Sequence, residues 1–381
     1  MKRALPYLKT FFKRADMLLF SLALLCAVFG IVVIASATQS YQTNSYVIIQ
    51  SMSLLFGIAL FVLLTVIDID IIADHWAFLL VFSVLLILAL IPFGTGDAST
   101  GNKAWIRFLG VGIQPSEVVK LTFIVLLAKQ VSTRKEYKNL NAPLSVLQIV
   151  ALFFLFFGLI VVISGDLGSA LVYFFIFLVV LFVAGLKLYW FAAGIGLLAA
   201  ATPLIWTHVL KPYQRDRILA PYVPGVDPSG YEIRWQANQS KLALASGQLT
   251  GTGLFNGPQT QSTALPEKQT DFIFGVIGEE LGLIGCILVI ALMVALIVRC
   301  VYVGVKSKNT MNMLVCFGVA AMLFFQTFEN IGMCLGIAPV IGVTLPLLSY
   351  GGSSLFCTFA ALGLVSGIRY RPKPGRFQSY G

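Results

Sequence analysis

The sequence predicts an all-α integral membrane protein with ten transmembrane helices and one large extracytoplasmic loop. Three observations carry that expectation. Of the 381 residues, 58% are hydrophobic and 11% charged, and the mean hydropathy is +0.91. Soluble domains are roughly 45–50% apolar and about 25% charged, so a water-soluble enzyme, a disordered chain and a secreted disulfide scaffold are all excluded. The apolar residues also come in runs of span length, since a bilayer core of about 30 Å needs about 20 of them per helix. Finally, the 26 Lys and Arg residues behind the net charge of +10 fall where a membrane topology wants them, so they need no nucleic acid partner.

The runs lie near 17–36, 46–66, 75–94, 115–132, 143–164, 168–186, 188–208, 272–300, 311–336 and 350–368. The first follows Lys2, Arg3, Lys9, Lys13 and Arg14 and has no small-residue cleavage site, so it is expected to remain as a helix rather than serve as a signal peptide. The fourth carries Glu117 and Lys120 inside it. The eighth is longer than a span needs and is expected to tilt or to begin above the membrane. An even number of spans puts both termini on one side. If that side is cytoplasmic, 17 of the 26 basic residues lie inside: the N-terminal five, Lys129, Arg134, Lys135, Lys138, Lys187, Arg299, Lys306, Lys308, Arg369, Arg371, Lys373 and Arg376. That excess follows the positive-inside rule. The chain thus reads as a single polytopic domain, 1–381, with residues 209–271 as an outer loop. Tyr213, Tyr222, Tyr231, Trp235, Leu242 and Leu249, with turn-forming Pro and Gly between them, predict that this loop folds back on the bundle rather than staying disordered.

Cys26, Cys286, Cys300, Cys316, Cys334 and Cys357 have no CxxC or Cys/His spacing and read as packing residues. His75 and His208 stand too far apart in sequence to suggest a metal pair. Charges within spans are costly, so each needs a reason. Glu117 and Lys120 are i and i+3 on one helix and can pair as a neutralised structural unit or as a polar cavity wall, with Lys103 and Arg107 just before them. Asp166 in SGDLGSA is either a helix cap or a site residue. Asp271, directly before the apolar Phe272–Phe274 entry of the eighth span, is either an N-cap or a general base acting on a phosphate-containing headgroup. Glu279 and Glu280 follow it, and Glu329 is a further intramembrane carboxylate with no assignable role. The Gly and Ser pairs of LSYGGSS (348–354) suit close packing or a re-entrant turn, with a phosphate nest as the alternative.

Four stretches carry a resemblance: NKAWIRFLGVGIQPSEVVKL (102–121), SGDLGSALV (164–172), the run 231–285 that contains LPEKQTDFIFGVIGEELGLIG, and NIGMCLGIAPVIGVTLPLLSYGGSS (330–354). Through them the chain resembles the shape, elongation, division and sporulation family, most closely its elongation branch. It departs from the family in having Gln269 where His is frequent. The resemblance implies a ten-span glycosyltransferase of the bacterial plasma membrane, with both termini cytoplasmic. Such an enzyme polymerises peptidoglycan strands from lipid II beside a class B penicillin-binding protein, among membrane lipids and without nucleic acid. By motif it makes Asp271 the essential carboxylate and Glu117 with Lys120 a second polar site. Arg107, Lys120, Arg215, Arg217 and Lys241 are the cations available to a departing pyrophosphate. A divalent cation, magnesium or manganese, could share that task; no organic cofactor is implied. A division or sporulation paralogue, a lipid II flippase and a non-catalytic scaffold are the competing readings.

Overall fold

The computed structural model describes residues 11–96, 103–108, 111–230, 233–262 and 264–371. Lys2, Arg3, Lys9, Lys373 and Arg376 of the expected inner segments, and Tyr231 of the outer one, lie outside the described residues.

In chain order the bundle begins with α1 (Met17–Ala37), α2 (Ser45–Val66) and α3 (Trp76–Phe93), followed by α4 (Pro115–Tyr137). Next come α5 (Pro143–Ser164), α6 (Leu167–Ala184) and α7 (Leu188–His208). The outer segment forms α8 (Pro212–Leu219), α9 (Trp235–Ser246) and the single turn α10 (Pro258–Gln261). Last are α11 (Ile273–Lys306), α12 (Thr310–Leu335) and α13 (Gly352–Tyr370). Among the described residues nine of these helices are long and apolar enough to cross a membrane. The helix α4 is not one of them, because Glu117, Lys120, Lys129, Arg134, Lys135 and Glu136 all lie along it. Its middle is nonetheless buried at Phe123, Ile124, Leu127 and Val131, packed among α3, α6, α12 and α13.

Local chemistry sets where the helices start. Pro115 and Pro143 open α4 and α5, where a missing N–H costs nothing. Side-chain caps begin three others: Asp16 accepts from Leu19 N at 3.2 Å, Asp166 from Ser169 N at 2.9 Å and Asn309 from Met311 N at 2.8 Å. At the end of the bundle where α1 starts, carboxylates collect the expected inner cations. Buried Asp16 pairs with Arg299 at 2.9 Å and Arg369 at 3.0 Å, Asp68 with Arg371 at 2.9 Å and Asp74 with Lys129 at 2.8 Å. Two arginines on one buried carboxylate compensate a charge that could not be left alone there.

The sequence offered only helices, whereas the connection from α3 to α4 is a small antiparallel sheet of β1 (Gly94–Thr95), β2 (Trp105–Phe108) and β3 (Val111–Ile113). Gly94 pairs with Ile106 and Ile106 with Ile113. Strands of two to four residues are too short for a period-two pattern to stand out from an irregular loop.

The long α11 is broken near its N-terminal end. Gly282 has φ 66° and ψ −164°, a backbone state that a residue with a Cβ enters only with strain. Such a break leaves amides and carbonyls without helical partners, and in a span these must be satisfied from within the protein. Residues 248–253 meet that demand. Leu283 N donates to Gln248 O at 2.9 Å and Ile284 N to Leu249 O at 3.3 Å, while Thr252 N and Gly253 N donate to the carbonyls of Glu279 and Glu280, each at 3.0 Å. The outer segment is thereby stitched into the kink, and α9 packs on α11 and α12 above it.

Candidate active site

Asp271 sits in a turn directly before α11. The backbone N–H groups of Thr270, Asp271 and Phe272 all converge on Glu267 O, at 3.1, 3.1 and 3.2 Å. The expected cap role is not what the structure gives: Phe272 holds the N-cap position and no side chain caps the helix. The turn has moved the carboxyl off the helix axis and into the bundle, and it is the carbonyl of Asp271 that is tied down, accepting from Asn330 Nδ2 at 2.8 Å. The other bond of the same amide goes to Val343 O, also at 2.8 Å. Asn330 therefore joins the Asp271 turn to the non-helical segment 336–351 between α12 and α13.

Gly342 in that segment faces the carboxyl: a Cβ built there would stand 3.5 Å from Asp271 Oδ2. Gly342 also lines a recess together with Gln114, Glu117, Lys120, Ser169, Gln326 and Thr344. Inside it Lys120 Nζ and Glu117 Oε1 are 2.6 Å apart, the i, i+3 pair anticipated from sequence. Lys120 is 1% exposed, so its charge is held by its partner rather than by water. Asp166 is the helix cap that one of its two readings gave. One oxygen caps α6, and the other accepts from Gln114 Nε2 at 2.8 Å and Ser169 Oγ at 2.6 Å, which draws two side chains of the recess wall together.

A second recess, along residues 336–340 of the same stretch, is bounded by Arg217, Arg234, Asn238, Lys241, Gly336 and Ala338. Burial pushes the pKa of Asp271 up to about 7; the negative charges of Glu267 and Asp166 add to the rise, and Arg217 opposes it. A carboxyl with that pKa can take up a proton near neutrality and release it again, as general-base catalysis requires.

The other expected cations lie elsewhere. Both donor edges of Arg215 turn back onto α7, from Nε to Leu210 O at 3.0 Å and from Nη2 to Thr207 O at 2.9 Å, where they satisfy carbonyls freed at its wide final turn. Arg107 is an exposed residue of β2 opposite Gly112, and it borders neither recess. Sequence reasoning missed Arg234, Gln114, Ser169 and Asn330. The last was open to detection as an uncharged polar residue inside an apolar span, since such groups must find partners. Glu279 is a structural anchor, accepting from Gln259 N, Thr260 N, Thr260 Oγ1 and Ser246 Oγ. Glu280 accepts from Ser36 Oγ at 2.6 Å and Gln261 Nε2 at 3.1 Å. The LSYGGSS stretch forms a turn that leads into α13, and two of its amides are already used: Tyr350 N bonds Gln269 O at 2.8 Å and Gly351 N bonds Gln50 Oε1 at 3.1 Å.

Among the described residues no three His, Cys, Asp or Glu side chains converge to ligate a metal. Magnesium shared with a substrate pyrophosphate needs only one or two carboxylates.

The Escherichia coli (strain K12) protein named peptidoglycan glycosyltransferase MrdB is 36% identical over 304 residues, 79% of each chain. The probable peptidoglycan glycosyltransferase FtsW of Geobacter metallireducens is 32% identical over 372 residues, 95% of this chain and 96% of that one. Among solved structures, a chain from the structural coordination of polymerization and crosslinking by a peptidoglycan synthase complex superposes with TM-score 0.77 at 30% identity, covering 93% of this chain and 97% of its own. The rod shape determining protein RodA of Thermus thermophilus matches with TM-score 0.67 at 28% identity, over 93% and 96% of the two chains. A family model of the cell cycle proteins FtsW, RodA and SpoVE covers residues 16–373, and the chain belongs to that family.

Proposed function

We propose that the protein is a peptidoglycan glycosyltransferase that polymerises lipid II, with a RodA-like role in cell elongation. The observation that carries the reading is the Asp271 carboxyl, whose pKa burial raises to about 7 and which lies against Gly342, a residue of the recess that holds Glu117 and Lys120, with Arg217 near enough to oppose the rise and lining a second recess with Arg234 and Lys241. The 4-hydroxyl of one lipid-linked disaccharide attacks the anomeric carbon of the other substrate. Asp271 accepts the hydroxyl proton as the new C–O bond forms. The bond to undecaprenyl pyrophosphate breaks, and the pyrophosphate leaves as an anion that needs positive charge rather than a proton. Arg217, Arg234 and Lys241 suit that anion, while Lys120, held by Glu117, suits a polar group of the sugar or peptide. A divalent cation carried by the pyrophosphate would supply further positive charge there.

In this reading α4 is the tenth span, the outer segment is extracytoplasmic, and both termini are cytoplasmic in the bacterial plasma membrane. That orientation is supported by the collection of inner cations at the end of the bundle where α1 starts. Purified protein incubated with lipid II should yield glycan chains when the products are separated by size, and its depletion should round cells rather than make filaments. Lipid II translocation without chains would identify a flippase instead.

The partner is a single-span class B penicillin-binding protein, lodged against α11 and α12. The argument is exposure along one side of α11, where Ile284, Ile287, Leu288, Val294 and Val298 face outward, a ready face for another helix in lipid. Cysteines placed at Val294 or Val298 should cross-link to the partner's helix. Cross-links confined to α1 and α2 would overturn the assignment.

A further inference from the structure

Three residues before Asp271 stands a lysine that the mechanism does not use. Lys268 is 1% exposed, although it lies in the outer segment. An ammonium has three donors, and here each has an oxygen: Ser40 Oγ at 2.9 Å, Ser262 O at 2.9 Å and Thr260 O. The ammonium also lies 5.0 Å from the centre of the Tyr41 ring. These contacts come from the turn after α1 and from the end of α10 with Ser262 just after it, so one side chain gathers two distant segments around the residue that begins the Asp271 turn.

The next three residues are held by their carbonyls. Gln269 O accepts from Tyr350 N at 2.8 Å, Thr270 O from Ser349 Oγ at 2.6 Å and Asp271 O from Asn330 Nδ2 at 2.8 Å. Four consecutive residues, 268 to 271, are therefore fastened to the rest of the protein, the first by a charge and the others by neutral bonds. Opposite charge for the lysine is supplied one residue away. Thr260, whose carbonyl receives the ammonium, gives its own N–H and hydroxyl to Glu279 Oε2, at 2.7 and 2.6 Å. Burial pulls the pKa of Lys268 down, while Glu279 and Glu280 act to hold it up. Three satisfied donors and two nearby carboxylates offset part of what burying that cation costs.

We propose that Lys268 is a positioning residue for the transfer reaction: its saturated ammonium locks residues 260–262 at the end of α10 and the turn after α1 against residues 267–272 and so fixes where the Asp271 carboxyl points. This rests on the reading of Asp271 as the general base. The charge of Lys268 is not needed at the reacting atoms. Its effect is geometric, and displacements of about 1 Å at a catalytic group can cost roughly 100-fold in rate.

The test uses the full-length protein and lipid II, with Lys268→Met, Ser40→Ala and Asp271→Asn measured together. Lys268→Met keeps the length of the side chain but none of its donors. Its maximal rate should fall at least about tenfold while the apparent KM for lipid II stays within about threefold, because the turn moves and the binding recesses do not. Ser40→Ala removes one of the three acceptors and should lower the maximal rate by about two- to fivefold. A purely structural lysine would instead reduce the yield of folded protein and leave the rate per folded molecule unchanged. If folded Lys268→Met turns over within about twofold of the unmodified enzyme while Asp271→Asn is inactive, the positioning role is wrong and the base assignment stands. If Lys268→Met does not fold, an unchanged rate for Ser40→Ala overturns the proposal. Activity in Asp271→Asn would remove the base assignment itself.

Discussion

Asp271→Asn should abolish lipid II polymerisation while leaving the fold intact. Asparagine keeps the shape of the side chain and the carbonyl that Asn330 holds at 2.8 Å, but it cannot accept a proton at neutral pH. General-base contributions are typically about 100- to 10,000-fold, and a loss of that size is expected here. No loss of a helix cap can be blamed, since Phe272 occupies the cap position and no side chain bonds the end of α11. The unmodified enzyme adds a pH signature. Burial, then Glu267 and Asp166, hold the Asp271 pKa at about 7 against the pull of Arg217, so the base is protonated below about pH 7 and the rate should climb as pH rises through that value. An Asn variant that keeps more than about a tenth of the rate, with lipid II still bound, would send the search for the base elsewhere.

The second large effect is expected at Glu117 and Lys120. Lys120→Ala alone is a poor test, because it leaves a buried carboxylate without its cation and can cost about 3–5 kcal/mol of stability. Replacing both residues, Glu117→Gln with Lys120→Met, keeps the volume and removes both charges, a change that is often neutral for stability. The double variant should accumulate normally in membranes yet polymerise lipid II roughly 100-fold more slowly, the scale on which single preorganised donors act. Normal polymerisation in it would reduce the 2.6 Å pair to a structural one.

Most of the architecture was legible because a bilayer is an unforgiving solvent. A segment that crosses it must satisfy its own backbone, so it is a helix, and it must be apolar, so it announces itself by composition. The same solvent makes Glu117, Lys120 and Asp166 conspicuous, because charges at such places need partners. Family membership was legible from the long motifs around these residues, and the model covering residues 16–373 bears it out. The strands between Gly94 and Ile113 were not legible, being shorter than any detectable period. Nor was the break at Gly282: a glycine in a run containing Gly275, Gly278 and Gly285 looks like its neighbours until residues 248–253 arrive to bond its flanks.

The sequence by itself determined the class of the protein, the places of its long apolar helices and the few carboxylates worth suspecting, because each of these depends on composition summed over a short stretch of chain. Only the tertiary structure decided what those residues do together. Arg215 and Arg217 are two positions apart, yet one bonds the end of α7 and the other lines a recess whose charge reaches Asp271. Asp271 is aimed by Asn330, 59 residues away, and by a turn that four unrelated segments hold in place. Direction is a property of contacts between distant residues, and it is set by the packing of the bundle rather than by the local pattern of the chain.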